Sequence, residues 1–340
     1  MDVDRGCGRQ AGRAGARRHR PVCFVFLDGV GLAAADGHNP LAQAAMPTLH
    51  NLLGGPLVDG RRIAQDGVLL QPLDACLGVS GLPQSATGQT ALFTGINAAA
   101  LLGAHMAAYP TAPLREVIAQ HSLLKQATDQ GLRATFANAY TTTYWQRVAQ
   151  RKLWHSASTL TTMAADLPLR TLDDLARGEA VYWDITHEVL RSVLELDVPL
   201  LEPEEAGRRL ARLTAAHDLV LFESFLTDLA GHGRLPWPTE EVLTLLDRFL
   251  GGLLEALPDE ATLLVSSDHG NLEDSRTRAH TRNPVPLLAV GPGARAFAQA
   301  QAITDVTPAI LQWFQVQGSR FKVRHGQQTP NAEPRTRKGD

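Results

Sequence analysis

Three short apolar runs, each followed by an acid, set the strongest limit on what this chain can fold into. Val22-Cys-Phe-Val-Phe-Leu27 runs straight into Asp28, Leu219-Val-Leu-Phe222 lies shortly before Asp228, and Thr262-Leu-Leu-Val265 before Asp268. Uninterrupted apolar runs of this length between polar turns predict strands buried on both faces, as in a parallel sheet. A fourth run, Val285-Pro-Leu-Leu-Ala-Val290, ends at Gly291-Pro-Gly293. Helical patterns fall between the strands. Over Pro40–Leu53, Leu41, Ala44, Ala45, Leu49 and Leu52 share a face; over Thr239–Leu257, Val242, Leu245, Leu246, Phe249 and Leu253 form one stripe. Such alternation predicts an α/β domain with helices on both faces of its sheet. Ligands of these sheets bind beyond the carboxyl ends of the strands. Asp28, Asp228 and Asp268, remote in sequence, are therefore predicted to converge.

The stretch from about residue 98 to 216 reads differently. It is mainly helical, over Leu114–Gly131, Thr171–Arg177 and Pro203–Ala216, with irregular polar segments such as Asn138–Trp145, and it is expected to form an inserted cap or lid. The first twenty residues carry six arginines against two aspartates, with no apolar core of a signal peptide behind them. Residues 1–20 are expected as a disordered basic tail, and 317–340 as a polar C-terminal tail. Over 340 residues, 44% are hydrophobic, 20% are charged and the net charge is −3. These values fit a globular chain with a substantial core, and such a charge does not call for nucleic acid or a membrane as partner. Three cysteines without metal-like spacing, one of them Cys23 inside an apolar run, point to a reducing, cytoplasmic setting.

Four segments carry groups suited to chemistry. In Ser266-Ser-Asp-His-Gly-Asn271, Asp268 and His269 offer an oxygen and a nitrogen ligand side by side at a strand end. In Thr227-Asp-Leu-Ala-Gly-His232, Asp228 and His232 share a face if the segment is helical, and a loop would also let both reach one ion. His280 stands just ahead of the proline-bounded fourth strand. Ser85, in Gly81-Leu-Pro-Gln-Ser85-Ala-Thr87-Gly-Gln89, precedes a predicted helix, whose free N–H groups suit a phosphate. Thr87 competes with it as nucleophile or cap. Taken singly, each segment has an ordinary explanation: a surface histidine, a loop aspartate, a helix N-cap.

Together they resemble the metalloenzyme core shared by cofactor-independent phosphoglycerate mutase and phosphopentomutase, in the alkaline phosphatase superfamily. The matching blocks, in order, are Leu27-Asp-Gly-Val-Gly31 with Asn39-Pro-Leu-Ala42 and Pro47-Thr-Leu49; Gln84-Ser-Ala-Thr-Gly88; Asp228-Leu-Ala-Gly-His232; and Ser267-Asp-His-Gly-Asn271 through His280-Thr-Arg-Asn-Pro-Val-Pro286. Ile303-Thr-Asp-Val-Thr-Pro308 resembles the start of the closing helix of that core. The resemblance implies an alkaline-phosphatase-like three-layer α/β core with a mainly parallel sheet, split over 21–97 and 217–316, and a mostly helical cap over 98–216. It implies two divalent cations, manganese or zinc. Asp228, His232 and His280 would hold one; Asp28, Asp268, His269 and the Ser85 oxygen would hold the other. Ser85 would attack phosphorus on a small phosphorylated metabolite and form a phosphoserine, in a phosphatase or a phosphomutase.

Two departures bear on this reading. Gln89 stands where the mutases usually carry histidine and cannot act as an acid or base. The cap is about half the length of the domain inserted in phosphoglycerate mutase and matches no substrate motif. Candidate substrate contacts are Thr87, Gln89, Asn138, Arg147 and Arg151, with Lys152 and the aromatic stretches Tyr140–Trp145 and Trp154-His155 beside them. The alternative is a metal-binding regulatory module of the same fold without catalysis.

Overall fold

The structure is a computed structural model that describes residues 19–326 apart from residue 66. The basic stretch up to residue 18 and the chain beyond 326, both expected as tails, lie outside the described residues. The strands are β1 (Val22–Leu27), β2 (Ile63–Gln65), β3 (Val68–Leu73), β4 (Ala134–Phe136), β5 (Ala139–Tyr140), β6 (Arg170–Thr171), β7 (Leu219–Ser224), β8 (Thr262–Ser266) and β9 (Val285–Val290). Seven of them form one sheet in the order β2-β3-β9-β8-β1-β7-β4, and β5 and β6 form a separate ribbon. β4, β7, β1 and β8 pair in parallel; β3 shares their direction across the antiparallel β9, so five strands point one way and β9 and β2 the other. β1 is central, and its register sets Leu27 beside Ser224 and Phe26 beside both Glu223 and Ser266. The carboxyl ends of β7, β1 and β8 are therefore level, which brings the three acids to one edge.

Both faces of β1 are covered because every residue in it is apolar. Phe24 and Phe26 point into one core with Phe93, Leu114 and Ile310, while Val25 and Leu27 point into the other with Leu49, Leu210 and Phe249. Each fully buried phenylalanine contributes roughly 1.5–3 kcal/mol relative to an exposed one. Cys23 is buried in the second core, where desolvation pushes its thiol up to about 12, so it behaves as a small hydrophobe.

The helical expectations hold with three corrections. Asn138–Trp145, expected as irregular, holds β5 and the start of a helix, Thr142–Ala149, capped by the Thr141 hydroxyl. Pro40–Leu53 is not one helix but two, Pro40–Gln43 and Pro47–Leu53. Pro47 has no N–H to give and its ring would meet the carbonyl one turn back, so it can only begin a helix. Leu114–Gly131 is likewise two, Ala112–His121 and Leu123–Asp129, parted at Ser122, whose extended backbone (ψ 146°) ends one helix and opens the next. The last helix, Val306–Gly326, runs into the segment expected as a tail.

Parts of the 98–216 segment pack into the core. β4 adds to the sheet edge beside β7, helices Ala112–His121 and Leu123–Asp129 join the first core, and Pro203–Ala216 joins the second alongside Thr239–Ala256. The piece from Ala139 to about residue 198 adds a small core of its own, made of Ala139, Leu175, Ala180, Tyr182 and Leu190, and is tied to the rest through Ala157 in the first core and Val181 and Ile185 in the second. No helix among the described residues is long and apolar enough to cross a membrane.

Candidate metal centre

Asp28 leaves β1 through a backbone hydrogen bond from its N–H to the carbonyl of Ser224, 3.0 Å. The next residue must be glycine. Gly29 has φ +73°, and a Cβ there would lie 2.9 Å from the Asp228 Cα. The Asp28 turn thus presses against the Asp228 segment. That segment is helical, Leu226–Gly231, with His232 closing it, so Asp228 and His232 share a face as the helical spacing predicted. The helix Ser85–Thr94 approaches the Asp268 loop as closely, because a Cβ on Gly88 would sit 2.7 Å from the Asp268 carbonyl oxygen. Ser85 is the first residue of that helix rather than its cap, which is Gln84.

The seven side chains expected to bind metal all meet here. Ser85 Oγ lies 3.1 Å from His269 Nε2, which is 3.3 Å from Asp28 Oδ1 and 3.5 Å from Asp268 Oδ2. On the other side, Asp228 Oδ1 is 3.3 Å from His232 Nε2 and 3.6 Å from His280 Nε2, and these two nitrogens are 3.2 Å apart. His269 joins the halves: its ring stacks on His280 at 3.7 Å, and it belongs both to a donor set with Asp28 and Asp268 and to one with Asp228 and His280.

The donors fit cations and little else. His232 Nδ1 faces the Arg278 carbonyl at 2.6 Å and His280 Nδ1 the Pro83 carbonyl at 2.9 Å. A carbonyl only accepts, so each Nδ1 carries the hydrogen and each neutral ring turns a bare Nε2 lone pair inward. Two lone pairs at 3.2 Å repel unless an electrophile lies near both. Protonation is disfavoured, since burial lowers the pKa of His280 and holds His269 well below the usual imidazole range. The acids show the same strain. Asp28 is raised well above the carboxylate range by burial and then by Asp268, Asp228 and Glu223; Asp268 is raised to about 7 by burial and then by Asp228. Asp28 Oδ1 and Asp268 Oδ2 are buried without a hydrogen-bond partner. Leaving such groups uncompensated costs several kcal/mol each, and divalent cations are the direct remedy.

Comparison with known proteins agrees. Residues 201–318 match the family model described as the Metalloenzyme superfamily. The 2,3-bisphosphoglycerate-independent phosphoglycerate mutase of Vibrio parahaemolyticus is 32% identical over 125 residues, covering 33% of this chain and 24% of that protein; the chain thus spans about a quarter of the length of such relatives. In fold, it is similar to the PH0037 protein from Pyrococcus horikoshii (TM-score 0.54, 15% identity, 87% of this chain and 97% of that one). It is also similar to the alkaline phosphatase of the Antarctic bacterium TAB5 (TM-score 0.50, 14% identity, 87% and 98%). Residues 201–318 thus carry the match to the Metalloenzyme superfamily, on a fold like that of alkaline phosphatase.

Within this candidate metal centre, a residue not singled out from the sequence holds the ligand loops together. Glu273 is 1% exposed. Its Oε2 accepts from the N–H groups of Gly31 (2.9 Å) and Asn271 (2.8 Å), and its Oε1 from Asn283 Nδ2 (3.0 Å) and the Thr281 hydroxyl. One carboxylate therefore ties the Asp28 turn, the His269 loop and the His280 loop. Its signal was an acid two residues beyond the quoted Ser267–Asn271 block. Asn271 adds a bond from Nδ2 to Asp228 Oδ1, 2.9 Å.

The expected substrate contacts are placed unevenly. Gln89 is buried and donates from Nε2 to Asp28 Oδ2 at 3.1 Å, so it sits against the metal donors. Thr87 is fully buried; its hydroxyl donates to the Gln84 carbonyl and accepts from the Met106 N–H, both 3.2 Å. Asn138 pairs with the Glu223 backbone, donating to its carbonyl at 2.7 Å and accepting from its N–H at 3.0 Å. Arg147 lines a cavity beside the metal centre, whereas Arg151 does not and is exposed. Tyr144 bonds His155 through its hydroxyl, 2.7 Å.

Proposed function

We propose that this chain is a metal-dependent phosphotransfer enzyme that acts on a small phosphorylated metabolite through a phosphoserine at Ser85. The observation that carries the reading is the contact of Ser85 Oγ with His269 Nε2 inside a cluster of buried, partnerless donors. Asp228, His232 and His280 would hold one cation, and Asp28, Asp268, His269 and Ser85 the other, with His269 lying between the two sets. The mixture of carboxylate and imidazole suits manganese or zinc. When bound, such ions stabilise a serine alkoxide and neutralise charge on the phosphoryl oxygens.

The protein's own part is positional. Ser85 opens the helix Ser85–Thr94, whose N-terminal end suits an incoming phosphate, with the Thr87 N–H already given to the Met106 carbonyl at 3.3 Å. The Ser85 oxygen forms a bond to phosphorus as the bond to the leaving oxygen breaks, and that oxygen takes up a proton. Water attacking the phosphoserine makes the enzyme a phosphatase; a returning hydroxyl of the substrate makes it a mutase. The cytoplasmic setting belongs to the same proposal and fits the free thiols of Cys23 and Cys76.

The test is incubation of the manganese- or zinc-loaded protein with phosphoglycerates and sugar phosphates. Release of inorganic phosphate marks hydrolysis, and positional transfer without release marks a mutase. Acid quenching with radiolabelled substrate should trap label on Ser85. Turnover that survives Ser85→Ala would overturn the reading, and a metal-loaded protein inert towards every ester would favour a non-catalytic module.

A further inference from the structure

Beside the metal centre, under the piece from Ala139 to about residue 198, lies a cavity of about 390 Å³, a volume suited to a small organic molecule. Two of its lining residues, Glu223 and Phe225, lie on the stretch of chain that runs into the metal centre. Glu223 is the last residue but one of β7, and Phe225 precedes by three residues the Asp228 of the helix that follows. Glu223 also contributes to the charge felt by Asp28. The walls are aromatic. Tyr140 and Tyr144 stand 4.8 Å apart by ring centroid on one side, and Trp183 and Phe225 stand 5.8 Å apart on the other. At the rim, Trp154 is 54% and Val193 65% exposed, apolar area that a free surface leaves in water and a ligand would cover. Against this stand one lining cation, Arg147, and Arg115, whose guanidinium lies over the Trp154 ring at 5.8 Å. A buried acceptor is also spare: Glu223 is 2% exposed, accepts from Ser158 through Oε2, and has Oε1 without a partner.

We propose that this cavity receives the leaving group of the substrate and that this group carries a planar ring with a hydrogen-bond donor, making the substrate a ring-bearing phosphomonoester rather than a three-carbon acid. The inference rests on the phosphotransfer reading above and adds the substrate class to it. A phosphoglycerate brings a second anion, which is met by an arginine fork; this wall gives one lining arginine among mostly aromatic faces that stack on a ring.

The experiment separates the two levels. Metal-loaded protein is titrated by calorimetry with inorganic phosphate, methylphosphonate and benzylphosphonate, none of which can turn over. Benzylphosphonate should bind about tenfold or more tightly than methylphosphonate, the worth of roughly 1.4 kcal/mol. Trp183→Ala and Tyr144→Ala should each remove most of that advantage while leaving the affinity for inorganic phosphate unchanged, and Trp183→Phe should restore it. Equal affinity for the two phosphonates, with phosphate still bound, would overturn the substrate class and leave the phosphotransfer reading standing. Failure of inorganic phosphate to bind would bring down that reading, and this one with it.

Discussion

The donor atoms of the metal centre sit on turns and helix starts at the ends of buried strands, and most are held by a second group. His232 and His280 are oriented by carbonyls, Asp228 by Asn271, Asp28 by Gln89, and three of the loops by Glu273. The piece above the cavity is made otherwise. Apart from Ala157, Val181 and Ile185, which it sends into the two main cores, its own core is a handful of side chains, its ribbon has two residues per strand, and Trp145 and Trp154 reach solvent. Five of the seven non-glycine residues at positive φ among the described residues fall between residues 139 and 198: Arg151, Asp166, Ile185, His187 and Glu195. Such backbone costs of order 1–3 kcal/mol per residue. The contrast teaches that bond-making demands fixed donors on the strongest part of the fold, whereas a ring can be received by a wall that is softer and freer to vary.

The sharpest way to break the comparison is at Ser85. Ser85→Ala should lower kcat on the order of 10⁴-fold or more, the scale of losing a nucleophile, while elemental analysis at saturating metal shows both cations still held, the second by Asp28, Asp268 and His269 alone. A cavity variant such as Trp183→Ala should instead act mainly on KM. If the two variants lose activity alike, the division between a chemical and a recognising region fails.

Glu273→Gln comes next. It keeps the size of the side chain but loses the charge and half of its acceptors, so the three ligand loops are freed. Metal affinity, measured by competition with a chelator, should fall roughly 10–100-fold, as for other groups that orient ligands. Trp183→Ala should leave metal affinity alone. Gly29→Ala tests the same region through the backbone. Positive φ alone costs about 1–3 kcal/mol, and its Cβ would run into the Asp228 backbone. A lowered unfolding midpoint together with loss of metal is expected; retention of both would mean that the Asp28 and Asp228 segments are not pressed together.

The two regions also differed in how far they could be read from sequence. The ligands stood out because few residue types bind divalent cations and because most lie just beyond an apolar run or, for His280, just ahead of a proline-bounded strand. Asp28 after Val22–Leu27 and Asp268-His269 after Thr262–Val265 are the clearest cases. Glu273 escaped because an acid near a metal motif looks like any surface acid until its four partners are seen. The cavity was half visible: Tyr140–Trp145, Trp154 and Arg147 were candidates, but Trp183, Glu223 and Phe225 come from other parts of the chain with no spacing to link them. β4 was invisible for a different reason. Ala134-Thr-Phe136 is too short for a period and is a strand only because the edge of β7 is there to pair with. The break at Ser122 had no proline or glycine to announce it.

The smallest effect expected lies wholly in the softer region and concerns Asp184. Its carboxylate is 1% exposed and accepts the N–H groups of His187 (2.9 Å) and Val189 (2.6 Å), capping the helix Glu188–Ser192. Burial nevertheless outweighs these bonds and raises its pKa to about 6, against roughly 3.9 in an unfolded chain. Between about pH 4 and 6 the folded state therefore binds more protons here than the unfolded one, so this group's contribution to stability falls as pH rises through that window and is level above it. His187 pulls the other way, because burial lowers its pKa and an unfolded imidazole gains protons as pH drops below about 6.5. The difference between native protein and Asp184→Asn isolates the carboxyl. The unfolding midpoint of the native protein, relative to that of the variant, should decline from pH 4 to pH 6 by a few degrees at most, and metal affinity above pH 6 should be the same in both. A relative midpoint that rose over this range would mean that the hydrogen bonds from His187 and Val189 outweigh burial, and the piece above the cavity would then be more firmly anchored than its exposed rings and strained backbone indicate.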